Sequence, residues 1–279
     1  MGRLAHRTHQ AAAGYTLQQS GGGGNPTDIE MLTRAAQARI FFGHQSVGNN
    51  IVGGIAAAYT AAGLPTPRVI DTRTAPADAN PVFMENGIAE NYEPIDKIDD
   101  FAAIMNGAMS SEVDVAFMKL CYVDVDASSS ENDPDILFAH YQSVLASLEA
   151  AHPNVLFLHL GMPVRTDGNA VEVAPSAISN VTGNLGIAPD SLPTWMKRER
   201  YNSFMRANYG STGRHWDLAA RESAVGNGNV LARLYNSTYY VHTMNPAYAS
   251  DGAHLNATGA QYMATELMKF IGARLLERD

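Results

Sequence analysis

The sequence predicts an α/β fold, a three-layer α/β/α sandwich built on a mostly parallel sheet of roughly five strands. Two observations carry this. Short apolar runs of strand type alternate with helix-patterned segments along most of the chain, and such alternation implies parallel strands with helices on both faces. The 279 residues are 46% hydrophobic and 17% charged, an ordinary globular composition at a length that can bury a sizeable core.

The elements follow in order. Residues 1–26 show no sustained amphipathic period and end in four glycines before Asn-Pro; they are expected to be a flexible tail. A domain is expected over 27–279, opening with Thr27 as N-cap and Glu30 at the capping-box position. "RIFF" reads as a short buried strand, and Ser46 to about Ala62 as an Ala/Gly-rich helix. "PRVIDT" is the second strand, "PIDKIDDFAAIMNG" an amphipathic helix and "VDVAFMKL" the third strand, with a helix from Pro134 to about Ala151 after it. "NVLFLHL" is the fourth strand, "LPTWMKRERYNSFMRANYG" a helix, "HWDLA" the fifth strand and Ala257–Leu276 the last helix. Irregular excursions are expected near 72–93, 161–190 and 222–250, where they could shape a site.

Bulk properties exclude several functions. A net charge of −9, with no long basic run, argues against nucleic acid or an anionic membrane as partner. No apolar run approaches the roughly 20 residues of a membrane span. No apolar leader opens the sequence, so it reads as soluble; a secreted or periplasmic place would require a leader already removed. The single cysteine, Cys121, excludes an intrachain disulfide framework and a cysteine metal site. None of the nine histidines falls in an H-x-x-x-H or H-E-x-x-H pattern, which leaves zinc hydrolysis without a ligand set, and no metal is expected. The glycine run at 21–24 has neither a preceding strand nor a following Lys-Ser/Thr, and is no phosphate loop.

Two segments carry chemistry. In an open parallel sheet, sites form where the carboxyl ends of strands meet the following helices. Ser46, in "RIFFGHQSVGNNI", occupies that place on the first strand. It is either a nucleophile beside a helix N-terminus, where N–H groups favour a developing oxyanion, or an N-cap of ordinary kind. Near the C-terminus, "SDGAHLNATGAQYMA" places Asp251 three residues before His254, with Asn256 able to cap the helix that follows. A turn there lets the carboxylate accept the Nδ1–H of the imidazole, leaving Nε2 as a general base. The serine-acid-histidine order also occurs in α/β-hydrolases, but "HQSVG" lacks the first glycine of their G-x-S-x-G elbow.

"FFGHQSVGNNI" resembles block I of the SGNH (GDSL-type) hydrolase superfamily, and "DGAHLNATG" matches its last block, D-x-x-H-L-x-x-x-G. The resemblance implies a three-layer α/β/α fold, ester hydrolysis or acyl transfer without a cofactor, and a triad of Ser46, His254 and Asp251. Other blocks depart from the pattern. His44-Gln45 replaces Gly-Asp before the serine. In "ENGIAENYEP" the block II glycine falls on Glu90, with Gly87 and Asn91 nearby. In "MKLCYVDVD" Val123 stands where block III has its oxyanion-binding asparagine, and only Asp124 matches. The expected oxyanion donors are therefore the N–H of Ser46 and Asn91, with His44, Gln45, Lys119 and Tyr122 as further oxyanion or substrate-binding candidates.

The expected substrate is a small-molecule or carbohydrate-borne ester. An acyltransferase with the same triad, or a silent glycan-binding module on the same fold, are the alternatives; the oligomeric state stays open. Cys121 reads as buried packing rather than a thiol nucleophile, His159 and His242 as structural histidines, and Asp217 as orienting a loop. The sequons at Asn180, Asn236 and Asn256 read as accidental.

Overall fold

The computed structural model describes residues 26–126, 132–183 and 191–279. The expected N-terminal tail, but for Pro26, lies outside them. Helix α1 (Asp28–Ala36) opens with the expected capping box: Thr27 Oγ1 accepts from the Glu30 N–H, and the Glu30 carboxylate accepts from the Thr27 N–H. Then come β1 (Arg39–His44), α2 (Val47–Ala61), β2 (Val69–Asp71), β3 (Val82–Gly87), α3 (Pro94–Asn106), β4 (Val115–Met118), α4 (Pro134–Ala151), β5 (Leu156–Leu160), β6 (Val171–Val173) and α5 (Thr194–Tyr209). The chain closes with β7 (His215–Trp216), α6 (Leu218–Glu222), β8 (Val230–Tyr235), β9 (Tyr239–His242) and α7 (Ala257–Leu276).

The main sheet has six strands, in the order β2-β3-β1-β4-β5-β7, and every pairing in it is parallel. The expected count of five missed β3, which lies inside the stretch 72–93 read as irregular. Its core-facing part is only "VFM" before Glu-Asn-Gly, and the preceding "TAPADANP" carries the composition of a loop. The two later excursions are not wholly irregular either. They supply β6, β8 and β9, a separate antiparallel sheet. Asn236 and Ser237 join β8 to β9 with φ of 47° and 54°, the doubly positive turn whose twist matches a hairpin.

Period-2 alternation on strands buried on both faces builds two cores. Ile40, Phe42, Phe83, Val115, Phe117 and Leu158 pack against the layer of α1, α2 and α7. Phe41, Met84, Ala116 and Phe157 pack against α3, α4 and α5 on the opposite face. Helix α5 is unusual: Lys197, Arg198, Glu199 and Arg200 are all buried. Burial works against ionising Glu199, but Arg206 and His242 hold its carboxyl below the usual range; Arg198 and Arg200 are paired with Asp126 and Asp135. Among the described residues, no helix is long and apolar enough to cross a membrane.

Helices α2 and α7 approach closely enough to exclude a side chain between them. A Cβ on Gly54 would lie 2.1 Å from the carbonyl oxygen of Ala260, whereas one on the adjacent Gly53 would meet nothing within 4 Å. The two neighbouring glycines should therefore respond oppositely to alanine. Gly53→Ala removes the helix penalty of an exposed glycine and should raise stability by about 1 kcal/mol. Gly54→Ala gains the same propensity but must push two backbones apart, a net loss of about 1–3 kcal/mol or more. Urea unfolding of both variants checks the sign; equal responses would mean the helices are not in contact there.

Candidate active site

Ser46 sits between β1 and α2, at the N-cap position, yet its side chain makes no capping bond. Its Oγ lies 2.8 Å from Nε2 of His254. Its backbone has φ 54° and ψ −111°, a conformation that costs a non-glycine residue about 1–3 kcal/mol and that functional sites often retain. The capping alternative is thereby excluded by geometry: the hydroxyl is turned from the helix toward the imidazole. The N–H of Ser46 meets no acceptor among the described residues.

Asp251 and His254 share one turn before α7. Asp251 Oδ2 is 2.7 Å from His254 Nδ1, and Oδ1 accepts the N–H groups of Ala253 (2.9 Å) and His254 (2.8 Å). These hydrogen bonds hold the Asp251 carboxyl at about 2, the bond from the imidazole contributing most. An acceptor carboxylate requires the proton on Nδ1, so in the neutral ring Nε2 accepts from the Ser46 hydroxyl. Asn256 caps α7 as expected, its side chain accepting from the Gly259 N–H. Gly252 has φ +84°, and a Cβ there would meet Thr166 Oγ1 at 2.8 Å, so both space and backbone favour glycine.

The structure also joins the two halves of the site. Asn50, one turn into α2, accepts the Leu255 N–H at 3.2 Å, tying the serine-bearing helix to the residue after His254. The sequence reading missed Asn50; a polar residue in the first turn of an otherwise Ala/Gly/Ile-rich helix was the available signal.

The other candidates divide. Gln45 does not face an open site: its amide donates to the Ala89 carbonyl at 2.7 Å and reaches that of Ile88 at 3.5 Å. It tethers the segment after β3 to the serine turn. His44 is fully buried, with Nε2 2.9 Å from Glu85. Burial lowers its pKa, and Glu85 offsets this in part, so His44 is a neutral core residue and no donor to the cleft. Lys119 is also buried, its Nζ donating to the Leu120 carbonyl (3.3 Å) and lying 3.4 Å from Cys121 Sγ. Asn91 is exposed, and its Oδ1 accepts from Lys97 Nζ at 2.8 Å, which leaves its NH2 end without a partner among the described residues. Lys97 is itself buried against Asp124 at 2.8 Å, so Asp124 serves as a buried counter-ion. Tyr122 stands edge-on to His254, ring centres 5.9 Å apart. Burial raises its pKa, so its hydroxyl keeps its proton.

The bystanders are also placed. Cys121 is buried. His159 stacks on Tyr209 and is hydrogen-bonded to Tyr141, while His242 is held by Glu199. Asp217 caps α6, accepting from the Ala220 N–H. Among the described residues, no three His, Cys, Asp or Glu side chains converge as metal ligands would.

Beside Asp251 opens a polar cleft of about 310 Å³, bounded by residues 164–167, the first turns of α5, Arg233, and His242 and Thr243. Its wall at Val164 is anchored by Glu222, whose Oε2 accepts the Val164 N–H at 2.6 Å while Oε1 meets no partner among the described residues.

No family model matches the chain, and no curated protein does. Among solved structures, the chain is similar to a GDSL-like lipase of Bacteroides thetaiotaomicron at 12% identity, over 92% of this chain and 93% of that one, with a TM-score of 0.49. It is also similar to a Bacteroides fragilis protein provisionally named an acylhydrolase, at 14% identity over 85% and 88% of the two chains, with a TM-score of 0.48.

Glu222 gives the site's scaffold a pH signature. Burial pushes its carboxyl up from 4.5 to about 8, against the Val164 N–H and the charge of Lys119. Between those values the folded protein holds a proton that the unfolded chain has released, so this group's contribution to stability falls as pH rises and levels off above 8. Thermal midpoints at pH 5 and pH 8 should show a smaller drop in Glu222→Gln than in the unaltered protein; equal drops would place the titration elsewhere.

Proposed function

We propose that the protein is a serine-dependent carboxylic ester hydrolase of SGNH type, with Ser46 as nucleophile, His254 as general base and acid, and Asp251 as the group that orients and charges the imidazole. The observation that carries this is the continuous chain from Ser46 Oγ through both nitrogens of His254 to Asp251, with bonds of 2.8 and 2.7 Å. Three residues from opposite ends of the sequence meet in the order nucleophilic catalysis requires.

In the proposed reaction, His254 Nε2 takes the hydroxyl proton as Ser46 Oγ attacks the ester carbonyl. The developing oxyanion is met by the N–H of Ser46 and by the NH2 of Asn91, both without a partner among the described residues, and Gln45 holds the segment before Asn91 against the serine turn. The imidazolium, stabilised by Asp251, then protonates the departing alcohol. Water, activated by the same nitrogen, cleaves the acyl-enzyme and releases the acid. The substrate is a small or carbohydrate-borne ester that reaches Ser46 from the polar cleft. An alcohol acting in place of water would make the same site an acyltransferase, and would be seen as transferred product when acceptor alcohols are added.

Turnover of p-nitrophenyl acetate should fall on the order of 10⁴-fold or more in Ser46→Ala and about 10⁴-fold in Asp251→Asn, mostly in kcat. A serine-directed phosphonate should label Ser46 alone. Hydrolysis no faster than buffer, or labelling at Cys121, would overturn the assignment.

A further inference from the structure

The cleft beside Asp251 carries three arginines, and two of them are neutralised. Arg198 donates to Asp126 at 2.8 Å and to the Tyr122 carbonyl at 3.0 Å. Arg233 donates to Asp167 at 2.5 Å and lies 4.3 Å over the ring of Trp195. The third, Arg165, is exposed, and among the described residues no carboxylate lies within ion-pairing distance of it. The two carboxylates that line the cleft are themselves committed, Asp167 to Arg233 and Asp251 to His254. Arg165 is therefore, among the described residues, the one arginine on this wall without a carboxylate partner.

Its backbone is held in place. The Arg165 carbonyl accepts the Met244 N–H at 2.9 Å, and the N–H groups of its neighbours are fixed by Glu222 (2.6 Å, Val164) and by the Gly252 carbonyl (3.0 Å, Thr166). The last bond ties Arg165 to the turn that bears Asp251 and His254. The guanidinium sits 5.3 Å over the ring of Tyr122, and that ring stands edge-on to His254. A cation on an anchored stretch of backbone thus stands one aromatic ring away from the general base.

The side of the site it occupies identifies what it meets. The imidazole that deprotonates the nucleophile must later protonate the leaving oxygen, so the alcohol half of an ester lies against the histidine. We propose that the cleft receives the alcohol portion of the ester, and that Arg165 binds a carboxylate or phosphate carried by that alcohol. The inference rests on the hydrolase assignment above and narrows it to acyl esters of anionic alcohols. Arg165 determines specificity; it takes no part in bond making.

The test compares 4-acetoxybenzoate with its methyl ester, which differ in one charge on the leaving group. The unaltered protein should favour the carboxylate in kcat/KM, chiefly through KM. The ratio of the two should fall about tenfold in Arg165→Gln, be largely kept in Arg165→Lys, and shrink at high salt. Binding of 4-acetoxybenzoate to the Ser46→Ala protein, read by titration calorimetry, should weaken about tenfold when Arg165→Gln is added. If both esters are hydrolysed with a ratio that Arg165→Gln leaves alone, the anion subsite is overturned and the hydrolase stands. If neither is hydrolysed while binding still depends on Arg165, the subsite stands and the hydrolase assignment falls. Loss of both turnover and Arg165-dependent binding overturns both.

Discussion

Everything at the candidate site hangs on the close approach of α2 and α7. One helix begins immediately after Ser46, and only two residues separate the other from the turn that ends in His254, so their packing sets the distance between Ser46 and His254. Gly54 lets the backbone of α2 touch that of α7 at Ala260, and Asn50 pins the same two segments one turn nearer the chemistry. A side chain at 54 would act on the site as a wedge acts on a hinge. The alternating apolar residues of β1 supply the floor: Phe42 packs beneath α2 and α7 while Phe41 faces the other layer, so the strand cannot slip without reversing which residues are buried.

The layered α/β architecture was legible because it rests on local patterning. Short, largely apolar runs such as "VAFM" and "LFLHL" between helix-patterned segments read as strands with cover on both faces, and "TDIE" and "DGAHLN" announce helix starts through caps that the structure shows. The strand β3 was not legible, because its burial comes from lying between β1 and β2 and not from its own sequence. The antiparallel sheet of β6, β8 and β9 was hidden for a similar reason. Its strands mix Glu, Arg and Tyr with Val and Leu, and their apolar partners lie far away in α5.

At the site, sequence order gave the three residues that meet, since acid and base share a turn and the serine follows the first strand. It could not separate the polar residues around them. His44, Gln45 and Lys119 all stand near Ser46 in sequence or sheet order, yet the fold turns His44 and Lys119 into the core and spends Gln45 on two carbonyls. Arg165 and Asn50 went unremarked because each gains its place from a tertiary contact: one from the backbone bond between Thr166 and Gly252, the other from the crossing of two helices.

The side chain of Asp251 is 56% exposed, unlike the buried acid that often backs a catalytic histidine. What holds it to His254 is the turn itself, through two backbone N–H groups and the imidazole, with no wall of protein behind it. Acid and base therefore form one rigid body that can shift only as a unit. Displacing that turn would leave their mutual bond whole and lengthen only the reach from imidazole to serine. Because Thr166 is hydrogen-bonded to Gly252, the wall that bears Arg165 is fastened to that same turn.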